Sequence, residues 1–369
     1  MREFLNQSLW MALSAAVVAG AMAAPVLAAT YVYVSNVESS DIHVLQLNRQ
    51  TGELTLVETV AIPGVVKTGM STPLAVSPDK RFLYVALRGE PQAVITFSID
   101  PKTGKLKFIG SGPLVDSMPF IATDRTGRWL LAASYQGHKF TVSPINAQGI
   151  VQPTQQILEN HTNAHSIMPE ARNRFVLAAT LGNDLFNVFK FDAKTGKLAP
   201  HTPPSVSVKA KTGPRHFVFH PNGKLVYVLG ELDATIHAFD WDATKGQLKE
   251  KQSISGLQPG TAGRIAAADL HITPDGKFLY ASERTSSTMA CFKVNAADGT
   301  LTLIEIIPTE TQPRGFNIDS SARFLFVAGQ RSHRMTAYKI ETTGKLTKLK
   351  EYAVGKAPNW IEVVDLPAR

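Results

Sequence analysis

Cysteine is nearly absent from this 369-residue chain. Cys291 stands alone, so no internal disulfide can form. Its neighbours, Met289-Ala290-Cys291-Phe292, read as a core strand and assign the thiol a packing role. No Cys-x-x-Cys-His is present for haem attachment, and no Gly-x-Ser-x-Gly elbow for a serine hydrolase. Histidine and cysteine do not cluster at ligand spacing, so neither a metal nor another cofactor is expected. Basic runs are missing as well. The formal net charge is +8, but the lysines are scattered through turns without an aromatic platform, which argues against nucleic acid as a partner.

Long apolar runs are confined to the start. An alanine-rich stretch from Leu9 to Ala24 is shorter than the roughly 20 residues a bilayer span needs, and Val26-Leu27-Ala28 offers small residues for a signal peptidase. Residues 1–28 therefore read as a secretory signal peptide, with Arg2 offset by Glu3 and the free amino terminus supplying positive charge. Export without disulfides points to a bacterial periplasm, with no membrane contact after cleavage and a mature chain of 29–369. No later segment is apolar enough to span a membrane.

What the chain does have is an internal repeat. Leu74-Ala-Val-Ser-Pro-Asp-Lys-Arg-Phe-Leu-Tyr-Val-Ala86 returns as Phe217 to Val228, Leu270 to Ala281 and Phe316 to Val327, with weaker copies from Phe120 and His165. The first residues of the second strand in each copy are Phe82, Trp129, Phe175, Leu225, Phe278 and Phe324, at spacings of 47, 46, 50, 53 and 46. That period is one four-stranded propeller blade. Each copy continues into a third strand and a Thr-Gly-Lys-Leu type of turn, whose glycine supplies the positive φ of a tight hairpin. Six modules of strands A to D are complete. The mature chain opens on a strand B, Tyr31–Val34, and ends on a lone strand A, Trp360–Val364. The expected fold is an all-β, seven-bladed β-propeller closed by pairing the N-terminal strands with a C-terminal strand, forming one domain over 29–369.

In such a blade the A-to-B and C-to-D turns share one face, and here these are the repetitive ones. Their Asp and Lys residues answer to turn geometry. The opposite face varies. Where strand B ends, the blades present Arg88, Tyr135, Leu181, Glu231, Arg284 and Gln330. Where strand A begins near the axis, they present Thr72, Pro119, His165, Arg215, Ala268 and Arg314. Arginines, one carboxylate and one histidine converging on a channel mouth fit an acid–base and anion-stabilising site. The competing reading is that the charges neutralise one another on a binding module without chemistry.

Longer motifs then become recognisable: Gly213-Pro-Arg-His216, Glu231-Leu232, Ala268-Asp-Leu-His-Ile-Thr-Pro-Asp-Gly276, Glu283-Arg-Thr285 and Pro308 to Asn317, followed by Ala328-Gly-Gln330. Over nearly all of residues 30–369 the chain resembles the propeller-type 6-phosphogluconolactonases. The resemblance implies lactone chemistry without a metal. A similar set of one His, two Arg and one Glu in the related fungal carboxymuconate-lactonizing enzymes corresponds to His165, Arg215, Arg284 and Glu231 here, which become the expected catalytic residues. Arg314, Arg88, Gln330, Asp269 and His271 are expected to bind substrate, a small sugar lactone. Because the leader implies export, unphosphorylated glucono-1,5-lactone is the expected substrate. Its 6-phospho form and a lactonizing cycloisomerization are the alternatives. Either Glu231 or His165 serves as base, and Arg215 with Arg284 stabilises the oxyanion.

Overall fold

Strands such as Leu225–Gly230, Phe278–Glu283 and Phe324–Gly329 are buried on both faces. A strand with two dry faces needs a sheet packed on each side. The computed structural model, which describes residues 29–367, supplies this by arranging seven four-stranded antiparallel sheets in a ring. Seven separate apolar clusters fill the seven interfaces between neighbouring blades, in place of one central core. Cys291 is buried in one of them. The proposed leader lies outside the described residues, among which no helix is long and apolar enough to cross a membrane.

Closure follows the offset read from the repeat. Blade 1 takes Ala29–Asn36, Asp41–Leu47 and Leu54–Ala61 from the start of the domain, and its inner strand A, Pro358–Leu366, from the end. Val32 faces Val363 and Val34 faces Ile361 across this join. Both terminal strands are longer than expected, because pairing continues to the ends of the available hydrogen-bonding partners.

A second interaction explains why the repeat has its particular residues. The first residue of strand B, or in blade 1 the third, packs on the glycine of the C-to-D turn of the next blade: Tyr31 on Gly104, Phe82 on Gly149, Trp129 on Gly196, Phe175 on Gly246, Leu225 on Gly299, Phe278 on Gly344 and, across the closure, Phe324 on Gly52. A methyl group at any of these glycines would collide with the ring or side chain above it. Two residues further on, Tyr33, Tyr227 and Tyr280 donate their hydroxyls to the carbonyls of Gly104, Gly299 and Gly344 at 2.8, 2.7 and 2.9 Å. The aromatic positions and the turn glycines of the repeat are thus two halves of one contact between blades.

The inner strands depart from the sequence-based expectation. In blades 5, 6 and 7 strand A begins at Pro214, Ala267 and Pro313, three residues before the repeat copies open at Phe217, Leu270 and Phe316 and one before the Arg215, Ala268 and Arg314 position. The extra residues are joined by β-bulges: the register slips between Pro214 and Phe217, between Ala267 and Leu270, and between Pro313 and Gly315. Blade 4 slips likewise between Ala164 and Ser166. Bulges re-aim side chains. The residues displaced here include His165, Arg215, Asp269 and Arg314.

Gly299→Ala combines φ +77 with a collision against Leu225, so it is expected to lower stability by about 2 to 4 kcal/mol. Leu279→Ala, at a fully buried position, is expected to cost roughly 2 to 5 kcal/mol. Urea denaturation followed by tryptophan fluorescence measures both. Wild-type midpoints in either variant would contradict the interlock or the interface core respectively.

Candidate active site

At the channel mouth on the variable face, the bulged strand A of blade 5 and the ends of strands B in blades 5 and 6 bring three charges together. Glu231 accepts from Arg215 Nε through Oε2 and from Arg284 Nη2 through Oε1, both at 2.8 Å. Arg215 is 2% exposed and also donates through Nη1 to the Ala268 carbonyl, while Arg284 Nε donates to the Ala266 carbonyl at 2.8 Å. Burial by itself would raise the Glu231 carboxyl, but Arg215 and Arg284 outweigh it and hold it below its ordinary value. At neutral pH it is a carboxylate with both oxygens engaged.

Two further arginines join without a carboxylate of their own. Arg88 is anchored by hydroxyls, donating from Nη1 to Ser71 Oγ at 2.7 Å and from Nε to Ser117 Oγ at 3.2 Å. Burial pushes it down to about 10. Arg314 makes no hydrogen bond or ion pair with the protein among the described residues. Burial and then the neighbouring Arg215, Arg284 and Arg88 all press against its charge. An arginine does not lose its proton in a protein, so four guanidinium groups share one carboxylate: Arg215, Arg284 and Arg314 act on Glu231, and Arg88 acts on Arg314. This surplus is the electrostatic signature of the site.

His165 sits beside them, its ring 6.0 Å from that of Tyr135 and 5.2 Å from that of His216. Burial, then Arg215, keeps it neutral far below the usual histidine value. Its Nδ1 is buried without a partner, which leaves Nε2 as the nitrogen that can serve substrate. Tyr135 was not singled out from the sequence, although it occupies the same strand-end position as Arg88 and Arg284. Gln330 lies at the rim and donates to the Met70 carbonyl at 3.3 Å.

The structure does not bring Asp269 and His271 to this cluster as substrate contacts. Asp269 lies one layer down and is fully occupied. It receives His216 Nδ1 at 2.8 Å and Leu270 N at 3.0 Å on Oδ1, and Phe316 N at 3.1 Å on Oδ2, with His271 Nε2 3.4 Å from that same oxygen. One carboxylate therefore ties the bulged inner strands of blades 5, 6 and 7. His271 is three residues along strand A from Ala268, about 10 Å at the strand rise. It opens into a separate cavity of about 350 Å³ in the other half of the channel, walled by Phe120 and Trp360 with Glu362 and Arg125. The sequence motif held both residues, but alternation along a bulged strand separates them from the mouth. His216, unassigned in the sequence reading, is the link between the two layers.

In this ring of seven sheets, His165, Arg215 and Arg314 on bulged inner strands meet Glu231, Arg88 and Arg284 from the ends of strands B at one channel mouth, an arrangement suited to an anion. Comparison with known proteins places the chain further. The family model described as a seven-bladed β-propeller lactonase matches residues 26–363. A Pectobacterium carotovorum protein named 6-phosphogluconolactonase is 42% identical over 91% of this chain and 98% of its own length, and an Erwinia tasmaniensis protein of the same name is 40% identical over 90% and 98%. Among solved structures, one from Bacteroides fragilis, provisionally assigned as a 6-phosphogluconolactonase, superposes with a TM-score of 0.81 at 26% identity, covering 92% of this chain and 98% of that one. A periplasmic gluconolactonase from Pseudomonas aeruginosa shares the fold, with a TM-score of 0.80 at 24% identity over 92% and 100%. The chain belongs to the lactonase family of seven-bladed propellers and is a lactone-hydrolysing carboxylic ester hydrolase.

The buried histidines set a pH dependence. Burial and then Arg215 push His216 down to about 4, and His165 is lowered in the same way. Between the unfolded value near 6.5 and the folded value, the unfolded chain binds protons that the folded one does not. Stability therefore decreases as pH is lowered through that window, by up to about 1.4 kcal/mol per pH unit for each histidine. His271 acts with the opposite sign: burial would lower it, but Asp269 raises it, so its contribution is complete below pH 6.5 and is lost as pH rises above that. Urea midpoints from pH 4 to 8 are expected to show the acid-side slope, and His216→Asn is expected to reduce it. An unchanged slope in that variant would exclude His216 as a source.

Proposed function

We propose that the chain hydrolyses the ring ester of glucono-1,5-lactone at the Glu231 mouth, with His165 as general base. The observation that carries this reading is the guanidinium of Arg314, which has no partner within the described protein and stands over an arginine pair already held by Glu231. Water attack on the lactone carbonyl places negative charge on its oxygen, and Arg314 with Arg284 is suited to receive it. A single well-placed donor contributes on the order of 10² to 10³ in rate. Arg215, 2% exposed against 12% for Arg284, is too deeply buried for that task and instead fixes Glu231.

The choice of His165 over Glu231 follows from lone pairs. Both Glu231 oxygens accept from arginine, whereas His165 is neutral with Nε2 available. Arginine charge depresses its basicity in the empty site, and an oxyanion forming among those arginines offsets that field and strengthens the base as it takes the proton from water. The tetrahedral adduct then breaks its bond to the ring oxygen, which takes the proton back from the imidazolium. The product is the open hydroxy acid, which ionises to gluconate.

The surplus positive charge favours a second reading, in which the substrate carries a 6-phosphate, and the names of the 40% identical relatives point the same way. The expectation of an unphosphorylated sugar rests on residues 1–28 acting as an export signal to the periplasm. In that case the mature protein begins near Ala29, and amino-terminal sequencing of the protein from a periplasmic extract checks it. An intact terminus in the cytosol would leave the phosphorylated lactone as the preferred substrate.

Glu231→Gln, His165→Ala and Arg284→Ala are each expected to lower lactone turnover at least tenfold with the fold intact, measured by acid release with circular dichroism alongside. Near-normal turnover in all three would favour a binding module. Release of a cyclised product from a carboxylated diene, without lactone hydrolysis, would favour the cycloisomerase.

A further inference from the structure

Beside the Glu231 mouth, between blades 6 and 7, lies a separate cavity of about 340 Å³ lined by Arg264, Arg284, Arg331, Thr285, Ser287, Thr311 and Gln312. Three guanidinium groups converge on it, and no carboxylate lines it. Among the described residues, the side chains of Arg264 and Arg331 make no hydrogen bond or ion pair. Of the three arginines Glu231 pairs with Arg284 alone, and two acids of the neighbouring loops are saturated by other donors. Glu283 accepts from the backbone of Ala266, Thr285 and Ser286 at 2.7, 3.0 and 2.5 Å and from the Ser286 hydroxyl at 2.5 Å. Glu310 accepts from Ser332 and Thr336, both at 2.5 Å. These carboxylates fix the loops that carry Arg264, Thr285 and Arg331 without neutralising the arginines.

Like charges held together in a shaped cavity lined by hydroxyls call for an anion, and planar guanidinium forks match the oxygens of a phosphate. Ser287 Oγ already accepts from Gln312 N at 3.1 Å, so its own hydrogen is free to donate. Arg284 belongs to both centres, donating to Glu231 and lining this cavity. The two are therefore one side chain apart, the scale of a single hexose. We propose that Arg264 and Arg331 are specificity-determining residues that bind the phosphate of a phosphorylated lactone whose ring lies at Glu231. This rests on the lactonase reading above in its second form, with a 6-phosphate on the sugar, and adds to it a subsite for the far end of that substrate.

The test pairs binding with kinetics. By titration calorimetry, 6-phosphogluconate is expected to bind the wild-type protein at least tenfold more tightly than gluconate, and R264A/R331A to abolish the difference. In hydrolysis assays the ratio of kcat/KM for 6-phosphoglucono-1,5-lactone over glucono-1,5-lactone is expected to fall at least tenfold in the same variant, mainly through KM. K105A/K194A removes the same net charge from exposed turns on the far face and is expected to keep the ratio within twofold. Equal binding of the two acids, a ratio untouched by R264A/R331A, or an equal fall in K105A/K194A would overturn the subsite. Absence of hydrolysis on either lactone, with arginine-dependent binding of 6-phosphogluconate retained, would overturn the lactonase reading and leave the subsite standing.

Discussion

Everything in this molecule depends on one contact made seven times: an apolar anchor near the start of a strand B pressed onto the turn glycine of the next blade. It fixes the lateral spacing of the sheets, and because Phe324 makes it to Gly52 across the chain ends, it holds at the closure as it does elsewhere. The contact also constrains the turn. The seven glycines carry φ between +66 and +85, so a side chain there would meet both backbone strain and an occupied space. One face of the ring is thereby given over to structure, and the other is left to vary.

That division gives the bulges their purpose. A regular inner strand carries its side chains in strict alternation, and an extra residue breaks the alternation where strands A meet the mouth. His165, Arg215 and Arg314 all fall at such breaks. A displaced backbone needs its own support, and Asp269 supplies it to three successive blades through the ring of His216, the amide of Phe316 and its own strand. The channel is consequently divided into two chambers by a layer whose charges are paired.

Much of this was legible in the sequence because repetition makes weak signals add. The starts of strands B were placed to the residue from Phe82 to Phe324, since aromatic anchors at a fixed distance from a Pro-Asp-Gly turn leave little freedom. The repeat copies in blades 5 to 7 open three residues after strand A begins, at Phe217, Leu270 and Phe316, because a bulge has no composition of its own and the local pattern stops where regular pairing stops. Asp269 and His271 were grouped with the mouth residues on the strength of a shared motif, and only the twist and bulge of the strand assign one to the supporting layer and the other to the lower chamber. Arg264 and Arg331 carried no repeat signal at all. They come from connections, and what gathers them is the three-dimensional packing of two neighbouring blades.

The charge balance explains why these parts were hard to read separately. A lone arginine in a sequence is a surface residue by default, and counting charges over the whole chain spreads the excess over hundreds of residues. Folded, the same residues stand as three guanidinium groups around Glu231, a fourth, Arg88, beside Arg314, and Arg264 and Arg331 close by. Self-repulsion of that kind lowers stability unless something offsets it. Within the protein, Glu231 offsets part of it, and the hydroxyls around Arg88 soften the rest without cancelling it. The remainder acts on what enters the mouth. A neutral lactone gains from it only as its carbonyl oxygen takes on charge, so that part of the field favours the transition state over bound substrate. A phosphate remote from the ring gains equally before and during reaction, so that part improves binding without speeding the chemical step. The Arg314 side of the mouth and the Arg264–Arg331 side are thus set for different tasks by where the charge sits relative to the bond that breaks.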